Sequence, residues 1–418
     1  VVLVFFRPQE WLIKPMAGIP VLVAVGGLAL ISTLAEQSAR RSVGFARLPH
    51  WNLYWGLFVA VLMSQVMLFY FDGVVFAFET FGKIFVFAIL LFYLLNTAPR
   101  LQILTRIVVV MGLLMAVHAI LQYFTGRGFG GSPPLYDYRG KRSQFFGIFE
   151  DPNDLAQFLT ACLPLCFGVF YRFDVKKLIL CLVTMLVILV GWWTTQSRGG
   201  IISIAATIAM IPVFFLNGRL RSIYLIAMVV FGGAFGIVAL GKNWIDSSST
   251  GRVTNWGEAN YAFKQNPIFG VGYGNISEYL NNMVVHNAFV ETYAELGLFG
   301  YLFWFGLIIY SVVGCFEVND LKAENETDVY LKRLARIFFC SLIGYLAGAY
   351  FLSRGLHHTF FIEISLCAGL FQVVNRRITP GDPPLFSRKY QLAALWLAST
   401  FGSIIIVYMS IILINKLR

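Results

Sequence analysis

Residues 178–195 read LILCLVTMLVILVGWWTT, eighteen residues without a charge, bounded by Lys176-Lys177 before the run and Arg198 beyond it. At ~1.5 Å rise per residue such a helix is ~27 Å long, close to the ~30 Å hydrocarbon core of a bilayer. A tilted barrel strand needs only ~9–11 residues, so the run is a spanning helix and not a strand of a barrel. Comparable runs recur at Ala17–Ala35, Leu53–Phe71, Val74–Leu95, Gln102–Phe124, Leu155–Tyr171, Gly199–Leu216, Ser222–Leu240, Leu298–Phe316, Ile337–Leu352, Thr359–Val374 and Leu392–Ile414. Val1–Phe6, which opens without Met, reads as the remnant of a further span, and no cleavable signal peptide is visible.

The expected fold is therefore all-α: a polytopic transmembrane bundle of about twelve spans, with residues 1–418 forming one integral membrane domain. Composition agrees, with 58% hydrophobic residues, 13% charged and a mean hydropathy of +0.73. Soluble chains carry about 25% charged residues. The forty Phe and nineteen Tyr suit lipid-facing surfaces and interfacial belts.

A net charge of +11 raises nucleic acid as a partner, but the Lys and Arg are scattered between apolar runs, which argues against it. Counted in alternate loops, all but Lys83, which lies inside a span, divide eighteen to thirteen, the denser set in short connections such as Arg40-Arg41, Lys176-Lys177 and Arg376-Arg377. The denser set belongs in the cytoplasm. The opposite face then receives two long loops, 125–154 and 241–297. In the second, Thr250 is placed to cap an interfacial helix with Val253, Trp256, Asn260 and Phe263 on one face, ended by Asn266-Pro267. This loop is expected to form an outer-side subdomain between late spans. The six cysteines fall in or beside apolar runs and read as buried thiols, with no disulfide framework.

Several polar groups gather on the outer side. Gln196-Ser197-Arg198-Gly199-Gly200 is a tight turn whose guanidinium can snorkel or grip a phosphate bidentately. Arg252 starts the interfacial helix and has the same two readings. Asp151-Pro152-Asn153-Asp154 reads as a helix start, with Asp151 as N-cap and Pro152 at the first helical position, in preference to a metal site. Asn287 is placed to cap the helix from Ala288, which makes His286 either a bystander or a proton acceptor with a pKa suited to neutrality. Glu291 and Glu295 follow one turn apart and are candidates to orient it. Arg354, His357 and His358 share an outer turn, with Glu363 a little inside the next span and Arg354 its expected partner. Gly270-Val271-Gly272-Tyr273-Gly274 has no strand–helix unit around it, so it is a turn and no dinucleotide fingerprint.

These motifs, in this order, resemble the O-antigen ligase family, a superfamily that includes O-antigen polymerases and bacterial protein O-oligosaccharyltransferases. His286-Asn287, nine residues, then Gly297-Leu298-Phe299-Gly300 is similar to its His-Asn-(x9)-Gly-x-x-Gly signature. Gly147-Ile148-Phe149-Glu150-Asp151-Pro152-Asn153-Asp154-Leu155-Ala156 is similar to its Gly-x-Phe-x-Asn-Pro-Asn-x-Leu-Ala stretch, with Asp151 in place of the first Asn. Thr195-Gln196-Ser197-Arg198-Gly199 matches its Ser-Arg-Gly turn; Gly251-Arg252, Trp256, Asn266-Pro267 and the three spaced glycines match the stretch ahead of the His. The likeness covers roughly Gly147–Gly300.

The resemblance implies glycan transfer from undecaprenyl diphosphate to an acceptor hydroxyl, at the periplasmic face of a bacterial inner membrane, with no metal or other cofactor. The acceptor is lipid A-core for a ligase, a growing glycan for a polymerase, or a protein. His286 would be the catalytic base. Arg198 and Arg252 would hold the diphosphate, joined by Arg139, Arg142 and Arg354, with Asn153, Asn287 and Glu295 in support.

A transporter or flippase of lipid-linked glycans is the rival from another class, since twelve spans suit one; a membrane scaffold is the weaker third. Transporters carry internal repeats and midplane polar sites, whereas these polar groups lie in outer loops and no repeat is visible. Cysteines placed singly at 139, 198, 252, 286 and 354 are expected to react with a membrane-impermeant thiol reagent in intact spheroplasts. Protection of 198 or 286 until lysis would overturn this topology.

Overall fold

The computed structural model describes residues 1–6, 21–39, 48–146, 149–228, 247–378 and 383–416, and it is mostly helical. Every apolar run above overlaps a helix, but the runs are unequal. Among the described residues six helices are long and apolar enough to cross a membrane: Phe71–Leu94, Ala98–Thr125, Val175–Thr194, Ala288–Asp320, His358–Asn375 and Lys389–Leu413. Others fall short of that length, such as Pro152–Leu165 and Arg198–Met210, each of which tightens into a 3₁₀ turn at its end. Against the expected twelve spans, six candidates meet these requirements among the described residues. The run Ser222–Leu240 begins in a helix over 218–228 and continues outside the described residues, as do Arg7, Lys14, Gly147 and Ile148.

The all-α expectation holds apart from one small element in the first long loop, and one local expectation is corrected. Leu135–Asp137 and Gly140–Arg142 form an antiparallel hairpin, with Tyr136 opposite Lys141. Its turn is set by Asp137, whose Oδ1 accepts the Arg139 N–H at 2.8 Å, and by Gly140 at φ +95°. Thr250 is not an N-cap, because its helix runs Ser247–Gln265 and contains it. The face read from the sequence is real: Val253, Trp256 and Asn260 are buried, and the helix stops just before Asn266-Pro267. The other caps fall where short polar side chains precede apolar runs. Asp151, Ser197 and Asn287 each accept N–H groups of the first helical turn.

The helix Ala288–Asp320 is central. It packs against Pro49–Val66, Ser247–Gln265, Glu326–Ala349, His358–Asn375 and Lys389–Lys416. Tyr301 and Trp304 are fully buried on it, and Trp304 Nε1 donates to the Gly355 carbonyl at 2.9 Å. The helix is broken at Gly297, where φ is +63° and ψ −169°. The sequence-predicted span began at Leu298, directly after this break; an added segment, Ala288–Leu296, leads into it.

A break of this kind frees backbone groups that must be satisfied elsewhere. The segment Pro267–Gly272 supplies the partners. Val271 N and Gly272 N donate to the carbonyls of Ala294 and Glu295 at 2.9 and 3.0 Å. Leu298 N and Phe299 N donate to Pro267 O and Ile268 O at 2.8 and 3.0 Å. The backbones approach so closely that a Cβ at Gly270 would lie 2.2 Å from Glu295 O, and one at Gly297 2.3 Å from Ile268 O. The same loop is clamped from the other side by Pro49–Val66: Gln65 Nε2 donates to Tyr273 O at 2.7 Å, and Tyr273 N to Ser64 Oγ at 3.1 Å.

Alanine at Gly270 or Gly297 therefore meets backbone and also forces a left-handed conformation, which alone costs ~1–2 kcal/mol. Both variants are expected to melt well below the parent in detergent, or to fail to accumulate. Gly402→Ala, on an open helix face with nothing within 4 Å of the added carbon, is the control and should melt at or above the parent temperature.

Candidate active site

The polar residues singled out in the sequence lie at helix ends, and the structure draws most of them together. Asp151 Oδ1 accepts the Asn153 N–H at 2.6 Å, which starts the helix Pro152–Leu165 and aims the Asn153 side chain sideways. Asn153 Oδ1 then accepts from Ser197 Oγ at 2.8 Å. Ser197 is itself a cap, accepting Gly200 N–H at 3.2 Å, so one hydrogen bond joins the starts of two helices.

Arg142 completes this junction. Its Nε donates to Thr195 O at 2.9 Å, Nη1 meets Asp137 Oδ2 at 3.0 Å, and Nη2 donates to Asn153 Oδ1 at 2.9 Å. It is 4% exposed, and the carboxylate of Asp137, held below its ordinary range by Arg142 and Arg139 in spite of partial burial, balances its charge. Three of its nitrogens are thus committed to protein acceptors. Arg142 ties the hairpin to both helix starts, a geometry suited to positioning more than to meeting a ligand.

Two openings flank Ser197. A small cavity is lined by Asn153, Gln157, Ser197, Gly200, Arg252 and Phe351. Beside it an open groove of about 460 Å³ is lined by Tyr138, Arg139, Trp192, Trp193, Gln196 and Arg198. Arg198 is exposed at the first position of its helix, and Arg139 donates to the Tyr138 hydroxyl at 2.8 Å along the groove's lip. Arg198 and Arg139 thus share the groove, Arg252 lines the cavity, and Ser197 is the wall common to both.

His286 precedes the cap Asn287, whose Oδ1 accepts Phe289 and Val290 N–H groups at 3.0 and 3.1 Å, as the sequence predicts. Its backbone is left-handed, φ +54°. Burial and then the charge of Arg252 hold the imidazole below the ordinary histidine value of 6.5; Arg354 acts in the same direction and Asp151 opposes it. His286 is therefore in the electrostatic field of Arg252, Asp151 and Arg354, three residues from separate motifs.

Arg354 forms an ion pair with the buried carboxylate of Asp154. The expected pairing with Glu363 is corrected: Glu363 is buried against Ser341, and its Oε2 has no hydrogen-bond partner. The reason is register, since Asp154 on the neighbouring helix faces the turn that carries Arg354. The Glu295 carboxylate lies against the N–H groups of Gly274 and Ile276, in the loop at the helix break. Glu291 lies against the hydroxyl of Ser353, which also accepts the His286 N–H. His357 Nδ1 lies 3.2 Å from Thr359 Oγ1. Among the described residues no group of three or more His, Cys, Asp or Glu is arranged to hold a metal ion.

Sequence reasoning did not single out Asp137 or Ser353, nor the pairing of Asp154 with Arg354. Asp137 had one local signal, the turn residues Asp137 and Gly140 around Arg139. Ser353 had none beyond its place next to Arg354.

Residues 180–305 match the family model described as O-antigen ligase. The matched stretch holds Arg198, Arg252, His286 and the Gly297–Gly300 break; the Asp151–Asp154 start and Arg354 lie outside it. No curated protein matches the chain.

Proposed function

We propose, from the match of residues 180–305 to the O-antigen ligase family model, that the chain transfers a glycan from undecaprenyl diphosphate to an acceptor hydroxyl. The reaction takes place at the periplasmic face of a bacterial inner membrane. The observation that carries the reading is a chain of neighbours: a partly buried histidine feels the charge of Arg252, and Arg252 lines a cavity that shares the Ser197 wall with the Arg198 groove.

The chemistry follows from these groups. The acceptor oxygen attacks the anomeric carbon as the bond from that carbon to the diphosphate oxygen breaks. His286 takes the hydroxyl proton, and diphosphate leaves with the bonding pair. Arg198 and Arg252 receive the growing negative charge, as planar forks that match phosphate oxygens. Arg139 extends the groove's positive lip, and Arg142, Asn153 and Ser197 hold the two openings in register. A single displacement inverts the anomeric configuration. General-base help of this kind contributes about 10²–10⁴-fold, or roughly 3–5 kcal/mol.

The family's members differ in acceptor. The reading adopted is O-antigen ligase-like, with lipid A-core as the acceptor; polymerase or protein glycosylation would use the same groups on another hydroxyl. A histidine held below 6.5 is neutral at pH 7 and ready to accept a proton, which is what the base must do.

The test separates rate from affinity. In purified protein with a synthetic polyprenyl-diphosphate glycan, His286→Ala is expected to lower turnover ~10²-fold or more, with donor affinity nearly unchanged. Arg198→Lys keeps the charge but loses the fork, and activity should still fall about tenfold. The acid limb of the parent's kcat/KM profile should have its midpoint below 6.5. Near-normal turnover in a stably folded His286→Ala protein would remove the proposed base.

A further inference from the structure

His286 is a single left-handed residue between neighbours that are already fixed. On one side, Val284 O accepts from Asn255 Nδ2 at 3.0 Å and Val285 O from Trp256 Nε1 at 2.8 Å. On the other, Asn287 is buried and occupied as a helix cap. The handle left on His286 itself is its backbone N–H, and this donates to Ser353 Oγ at 3.0 Å. A non-glycine residue at φ +54° is held there against its own preference, and side-chain rotamers depend on backbone angles. Whatever fixes this N–H fixes the direction of the imidazole.

We propose that Ser353 is the positioning residue for His286, with Glu291 behind it as the acceptor that sets the hydroxyl. Ser353 Oγ already accepts from His286, so its own proton is directed elsewhere, and the Glu291 carboxylate lies against it. Glu291 stands one turn into the helix that Asn287 caps, and its N–H donates to Asn287 O at 2.9 Å. The base, its cap and the acceptor therefore belong to one rigid segment, and Ser353 reaches it from the turn between Glu326–Ala349 and His358–Asn375. The next residue in that turn, Arg354, pairs with Asp154, beside the Asn153 that lines the Arg252 cavity. One turn thus sets the base relative to the donor-side wall. This inference rests on His286 being the base.

The test uses the full-length protein with a polyprenyl-diphosphate glycan donor. Ser353→Ala is expected to lower kcat about tenfold, the worth of roughly one hydrogen bond, while KM for the donor stays within about twofold. Ser353→Thr, which keeps the hydroxyl, should restore most of the rate, and Ser353→Val, its match in shape, should not. Glu291→Gln, still an acceptor, should behave like the parent, and Glu291→Ala like Ser353→Ala. In a His286→Ala background, Ser353→Ala should cost nothing further. Normal turnover in Ser353→Ala, or equal rates for the Thr and Val variants, would overturn the proposal and leave His286 untouched. An equal further loss in the His286→Ala background would also overturn it, since Ser353 would then act on the fold and not through the base. An active His286→Ala protein would instead bring down the reading on which the proposal rests.

Discussion

The exchange of backbone hydrogen bonds at Gly297 is the constraint on which the rest of the structure depends. A spanning helix inside a bundle has no water to satisfy freed amide groups, so it can break only where protein backbone replaces what is lost. The Pro267–Gly272 segment does this with four hydrogen bonds to residues 294, 295, 298 and 299. Glycine is required on both sides of the contact because the two backbones touch. The result is a helix start displaced from the spanning segment, with Asn287 as its cap and His286 just before it.

Helix ends are where a membrane bundle can keep polar groups, and the candidate site is assembled from them. Asp151, Ser197 and Asn287 are caps, each using a short side chain to satisfy N–H groups. Ser197, the cap of one helix, donates to Asn153 at the start of another, and Arg142 binds the pair to the hairpin. Arg139, Arg198 and Arg252 line the two openings, whereas Arg142 is buried with three nitrogens on protein acceptors. Charge and loop position do not reveal that difference.

What was legible in the sequence was local. Uncharged apolar runs marked the helices, because length and hydropathy act within one segment. Asp151-Pro152 and Asn287 marked helix starts, because capping is decided by the next three residues. The start of Ser247–Gln265 was misplaced at Thr250, since a polar Ser-Ser-Ser-Thr-Gly stretch has no apolar period to mark its first turn. The hairpin escaped because three-residue strands carry too little pattern. The burial of Arg142, the Asp154–Arg354 pair and the Ser353 contact join residues far apart in the chain, and no spacing rule points to them. Glu363 shows the limit well: its being buried was foreseeable, its partner was not.

The central claim is a single displacement at the anomeric carbon, with one histidine to take the proton and arginines to receive the diphosphate. The most direct measurement is the configuration of the transferred linkage, read by NMR on product made from a donor of known anomeric configuration. The account predicts inversion. Retained configuration would require two displacements and a covalent glycosyl intermediate, and would contradict it.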